Sequence, residues 1–185
     1  MRHYIYIILI CFGHFINLNA QDYTFNLIDQ TFQIPDINRF QFEEGDTIMS
    51  GKTIFIKREK LDKFTPKGWA IPSWEDFKIF IKNLDGEENS TGGKEVTATY
   101  LSNILPFKLK GIYYSSVKNV FGINSMTAYY SSTDTLRSNN SNPPKLSQIA
   151  LHIYSGRNGS LNVEPTYAII ENGLIYCDVI FIKKQ

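Results

Sequence analysis

Cysteine and histidine are nearly missing from the 185-residue chain, which has only Cys11, Cys177, His3, His14 and His152. Cys11, His3 and His14 fall in an N-terminal stretch that reads as a leader, so the remaining domain has one cysteine and no internal disulfide. One cysteine and one histidine do not supply the usual ligands of a zinc site. Charge of one sign is also lacking. With Arg2 in the leader, 18 Lys and Arg face 18 Asp and Glu, which removes the electrostatic case for a nucleic-acid or anionic-membrane partner. There is no phosphate-cradling glycine loop and no serine nucleophile elbow.

What the first twenty residues do contain is a basic start (Arg2, His3), an apolar middle from Tyr4 to Phe12 and a small residue, Ala20. That order predicts a signal peptide cut between Ala20 and Gln21. Gly13, His14 and Asn17 interrupt the segment too early for a membrane anchor. The expected protein is exported (periplasmic, cell-surface or secreted), with no membrane span after cleavage. The remaining 165 residues can bury a real core, and aromatic residues (13 Phe, 11 Tyr and 2 Trp in the whole chain) are the material for it. A lone Cys177 in such a domain reads as buried and inert.

The clearest local signal lies in residues 66–86. Pro66 and Gly68 mark a turn, and Trp69-Ala70-Ile71 lead to Pro72. Ser73 is a good helix N-cap, Ser73-x-x-Asp76 approximates a capping box, and Glu75 and Asp76 place negative charge on the first turn. Trp74, Phe77, Phe80 or Ile81, and Leu84 recur at helical spacing, and Asp85-Gly86 supplies the stop. The helix must bury that aromatic stripe against the strand-rich remainder.

Tyr23, Phe25 and Leu27, then Phe32 and Ile34, alternate with polar residues and predict half-buried strands. Phe40 and Phe42 alternate again, and Thr53–Ile56 reads as a short strand. Residues 61–68 connect to the central stretch. Residues 94–105 predict a second helix, with Val96, Tyr100, Leu101 and Ile104 on one face and Pro106 ending it. Residues 107–116 and the end of 117–133 read as strands, and 134–148 as a polar, turn-rich loop. Ile149–Tyr154 and Leu161–Val163 form a hairpin across Asn158-Gly159. Asn172-Gly173 predicts another turn, followed by a long closing strand, Leu174–Ile182. Strands around an early helix imply an α+β fold with an antiparallel sheet and one or two flanking helices. The expected organisation is a leader (1–20), a strand-rich extension (21–60) packed on the domain, and the domain itself (61–185).

Gly68-Trp69-Ala70-Ile71-Pro72-Ser73, followed by Trp74-Glu75-Asp76-Phe77, resembles the Gly-Trp-x-Leu-Pro-Thr/Ser opening of the Fibrobacter succinogenes major paralogous domain. Tyr129-Tyr130-Ser131-Ser132-Thr133 is similar to that family's aromatic-aromatic-Ser-Ser-Thr motif, and Gly173–Cys177 to its closing Gly-x-x-Val-Arg-Cys strand. Tyr176 stands where the family has its arginine, so the chain resembles a divergent member. The resemblance implies a C-type-lectin-like architecture: a twisted antiparallel sheet, flanking helices and long ligand-bearing loops.

Few residues offer chemistry. His152 sits in an alternating strand and reads as an ordinary sheet residue. Glu164-Pro165-Thr166 is similar to the lectin Glu-Pro-Asn motif and makes Glu164 the calcium candidate, with Asn172 and Asp178 near it in sequence. Calcium wants six to eight oxygens, so a turn proline beside a surface glutamate is the competing account. No catalytic residue, cofactor or metal is expected. Tyr113, Tyr114, Tyr129 and Tyr130 offer flat faces, and Asn139, Asn140 and Asn142 offer paired donors and acceptors. These seven are the expected ligand-binding set, although alternation turns one tyrosine of each adjacent pair toward the core. Asp46-Thr47-Ile48 and Asp134-Thr135-Leu136 resemble a short O-glycosylation signal. The expectation is a non-enzymatic exported module that recognises a glycan or cell-envelope protein; a self-associating surface or appendage component is the alternative.

Overall fold

In the computed structural model, residues 22–27, 29–137, 145–169 and 175–184 are described. Phe25, Leu27 and Phe32 turn inward from strands β1 (Tyr23–Leu27) and β2 (Gln30–Ile34), which pair as an antiparallel hairpin with Phe25 opposite Phe32. Asp36 then caps a 3-10 turn, Ile37–Arg39, by accepting from the Asn38 amide. Phe40 and Phe42, expected in a strand, instead lie in irregular chain. Their rings pack on Phe64, centroids 5.1 and 5.2 Å away, so contact with α1 rather than strand pairing places them.

Strand β3 (Thr47–Ser50), not read from the sequence, pairs with β4 (Thr53–Ile56) across Gly51, whose φ of 59° a side chain would strain. The connecting region contains one short helix, α1 (Leu61–Phe64), and β5 (Trp69–Ala70). Helix α2 (Trp74–Lys82) follows as its punctuation predicts. Ser73 Oγ accepts from the Asp76 amide, and Asp76 Oδ2 accepts from the Ser73 amide at 2.7 Å. Phe77 and Phe80 are fully buried, each contributing roughly 1.5–3 kcal/mol by leaving water. Trp74 is half-buried against the same cluster.

The expected second helix is shorter and starts later. Residues Lys94–Thr97 form strand β7, paired with β6 (Glu87–Glu88), and only Ala98–Ile104 form α3. Cross-strand pairing suits the β-branched Val96 and Thr97, and Thr97 Oγ1 then caps the helix by accepting from the Tyr100 amide. After β8 (Ile112–Tyr114) and β9 (Asn119–Phe121) come three long strands, β10 (Met126–Arg137), β11 (Lys145–Ser155) and β12 (Ser160–Ile169). The expected loop at 134–148 is overturned at both ends. Asp134 to Arg137 pair with Gln148 to Lys145 beyond a bulge, so the neighbouring strand organises a stretch with poor strand propensity of its own. Asn158 and Gly159, both at positive φ, turn β11 into β12.

The closing strand also breaks. Its parts are β13 (Ile175–Tyr176) and β14 (Phe181–Lys183), with Cys177–Ile180 between them. Every residue from Ile175 to Phe181 is buried, so this segment has no solvent face and cannot alternate as an outer strand does. Asp178 instead joins β10 through its backbone: its carbonyl accepts from the Tyr130 amide and its N–H donates to Ala128.

The result is α+β, with antiparallel ladders throughout the named strands. The largest sheet runs β10-β11-β12-β7-β6, and a second runs β1-β2-β14-β5, so N- and C-terminal strands share one sheet. Helices α2 and α3 and the β1–β2 hairpin cover one face of the large sheet through Phe32, Phe77, Phe80, Leu101, Tyr129 and Leu151. The opposite face is covered by α1, β4 and the Ile175–Phe181 segment around Ile56, Tyr130, Ala150 and Cys177. Strand β10 and the adjoining part of β11 are therefore buried on both sides around Tyr129, Tyr130, Ala150 and Leu151.

Candidate functional site

That two-sided burial decides where the tyrosines go. Tyr129 and Tyr130 face opposite sides of β10, as alternation requires, yet they are only 1% and 0% exposed. Tyr130 donates its hydroxyl to the Ile56 carbonyl at 2.9 Å. Burial removes both from the ligand-facing surface expected of them, and it pushes both phenols well above their usual titration range. Tyr113 and Tyr114 are half-buried on β8. Tyr113 meets Tyr176 edge-on at 5.7 Å and Tyr114 meets Phe121 edge-on at 5.6 Å. Asn139, Asn140 and Asn142 lie outside the described residues, as does Asn172.

Glu164 is engaged by protein. Its carboxylate accepts from the Thr91 hydroxyl and from Asn89 Nδ2, and it stands opposite His152 across the β11–β12 ladder. Among the described residues no group of three His, Cys, Asp or Glu side chains is placed to hold a metal ion. His152 stacks beside Tyr154 with ring centroids 4.7 Å apart, and burial lowers its pKa against the pull of Glu164. Cys177 is completely buried, which raises its thiol pKa well above the ordinary value. The aspartates of the two glycosylation-like triplets are both held internally. Asp46 accepts from Lys63 Nζ at 2.7 Å, and Asp134 from Arg58 Nη1 at 3.0 Å.

Several concavities carry polar groups, among them one around Asp29, Asp76 and Lys183 and one around Arg58, Asp62 and Ser132; a third brings a buried ion pair, two further lysines and an exposed tyrosine together. Widely separated pieces of chain line this cleft of about 480 Å³: the end of β2 with the 3-10 turn (34–38), residues 52–54 at the start of β4, the segment 106–110, and a floor of Tyr129 and Asp178. Apolar surface comes from Ile34, Pro35, Ile37, Ile54 and Pro106, and Tyr23 lines it while 43% exposed. Polar and charged residues (Asp36, Asn38, Lys52, Thr53, Lys108, Lys110 and Asp178) make up the rest of the lining, more than the few polar groups of an apolar small-ligand pocket.

Asp178 is the chemical centre of the floor. It is 5% exposed, and its Oδ1 lies 2.7 Å from Lys110 Nζ. Desolvation raises the carboxyl pKa, while Lys110, and Lys108 at longer range, work against that rise. On the adjoining wall Asp36 Oδ1 accepts from Asn38 N and Nδ2, while Oδ2 is buried from solvent and has no partner among the described residues. Lys52 and Lys108 line the cleft from separate segments.

Compared with family models, curated proteins and solved structures, the chain matches none. The geometry alone therefore speaks for the cleft. Of its charged residues only Asp178 was named from the sequence, as a neighbour of the calcium candidate Glu164. Only Asp178 left a trace, being the one acid inside the apolar run Ile175–Ile182; a lone carboxylate there signals a buried ion pair. Two of the stretches singled out by that resemblance touch: Thr133 Oγ1 accepts from the Trp74 amide at 2.9 Å, and Ser132 N donates to the Pro72 carbonyl at 2.8 Å. Beyond the third, Gly173–Cys177, strand β14 pairs with Trp69–Ala70. Among the described residues no helix is long and apolar enough to cross a membrane.

Proposed function

We propose that the chain is an exported, non-enzymatic recognition module of C-type-lectin-like character, and that its ligand is a glycan held in the cleft beside Asp36 and Tyr23. The observation that supports this reading is the lining itself. An accessible tyrosine ring offers a flat face to a sugar ring, while Asp36, Asn38, Lys52 and Lys108 offer acceptors and donors suited to hydroxyl groups. The leader-like residues 1–20 support export. Against catalysis stands the placement of His152 and Cys177, which are absent from the cleft lining.

The test is calorimetric titration against a panel of neutral and acidic oligosaccharides. Binding by the native protein, weakened about tenfold by Tyr23→Ala and by Asp36→Ala, is the expected result. Binding that survives both substitutions would move the site away from the cleft, and a folded protein that binds no glycan would end the proposal.

A second reading, a self-associating surface component, is favoured by one observation. Val117, Phe121 and Ile123 are 56%, 47% and 58% exposed on and around β9, an edge strand. Light scattering over a hundredfold concentration range tests it. A mass that stays at one chain throughout would remove it.

A further inference from the structure

Each charge in the cleft can be assigned to a partner or left over. Asp178 and Lys110 are matched to each other at 2.7 Å. Asp36 spends one carboxylate oxygen on Asn38. Lys52 and Lys108, both exposed and both lining the cleft, make no ion pair among the described residues. Two cations from separate segments thus face a space whose only unmatched anion is Asp36. Formal charge over residues 21–185 is balanced, 18 against 18. Attraction for an anion must therefore come from these local side chains, at contact range, rather than from the field of the whole protein.

Resting on the glycan reading above, we infer that the ligand is an acidic saccharide, its carboxylate set between Lys52 and Lys108 and its hydroxyls directed to Asp36 and Asn38. An ammonium is a compact point charge on a flexible stem, so two lysines on separate segments can close on one carboxylate without a preformed fork. Asp36 disfavours a second carboxylate on its own side, which gives the saccharide an orientation as well as a charge preference.

The experiment uses the full domain and matched pairs of probes: oligogalacturonate, alginate and hyaluronan oligosaccharides, each beside its carboxyl-reduced, neutral counterpart. At least one acidic probe is expected to bind about tenfold more tightly than its reduced form, with the difference shrinking as salt is raised. Lys52→Gln combined with Lys108→Gln is expected to erase that difference, the acidic form losing far more affinity than the neutral form. Both lysines are exposed and lack ion pairs, so an unchanged melting temperature serves as the control for folding. Equal binding of acidic and reduced forms, or acid binding untouched by the double substitution, would overturn the inference and leave the glycan reading standing. Binding to no probe of either kind would overturn both.

Discussion

Asp46 and Asp178 both lie almost wholly out of water, yet their carboxyl protons are held in opposite directions. Asp46 accepts hydrogen bonds from Lys63 and from the Glu43 amide, and these lower its pKa; Asp178 sits on the cleft floor, where desolvation outweighs Lys110 and raises it. The two have opposite consequences for stability. Asp46 contributes stability above the ordinary carboxyl pKa of 3.8, lost as pH falls through its depressed folded value. Asp178, with a raised folded pKa, favours the folded state most at pH below 3.8 and loses that contribution as pH rises through the folded value. Lys110 limits the loss, so Lys110→Met should cost about 2 kcal/mol at pH 7, less than a fully buried pair because Lys110 is 29% exposed. The penalty should shrink toward pH 4, where the isolated carboxyl can take up a proton; chemical denaturation at the two pH values measures it. A constant penalty would mean that Asp178 is not the group Lys110 serves. Cys177, fully buried with a raised thiol pKa, should resist iodoacetamide in the native protein and be alkylated only on unfolding, as mass spectrometry will read.

Helix α2 shows what local sequence can specify and what it cannot. Ser73, Asp76 and the aromatic stripe announce it, because caps and periodicity act within a few residues. Its third support was invisible: Thr133, 59 positions away, satisfies the Trp74 amide. Ser73→Ala and Thr133→Val should each lower stability by about 1 kcal/mol. They cap different N–H groups, Asp76 and Trp74, so urea titrations should find the double substitution near the sum. The misreadings share a physical cause. Val96 and Thr97 fit a helical face well enough until β12 offers them a partner strand, and residues 134–137 and 145–148 have no pattern of their own until they meet. Likewise, alternation put one tyrosine of each pair inward, but only knowledge of a second covering layer buries Tyr129 and Tyr130 alike.

At the scale of the molecule, the α+β class and its antiparallel sheets were legible, since strand alternation and a capped early helix survive in one dimension. The cleft was not. Its walls come from residues 34–38, 52–54, 106–110 and 129 together with 178, and no local pattern announces that such distant pieces converge. Strand β14 holds another long-range junction, pairing with β2 on one side and β5 on the other. Removing residues 181–185 should therefore expose both neighbours, and hydrogen exchange should show the amides of β1, β2 and β5 losing protection together while β11 and β12 keep theirs. Uniform loss across all sheets would instead mean that the two sheets melt as a unit. This placement also sets an order of events during synthesis. The β1–β2 hairpin leaves the ribosome long before β14, its neighbour in the sheet. A chain emerging N-terminus first therefore leaves Phe25 and Phe32 lacking part of their shelter until residue 183 has followed.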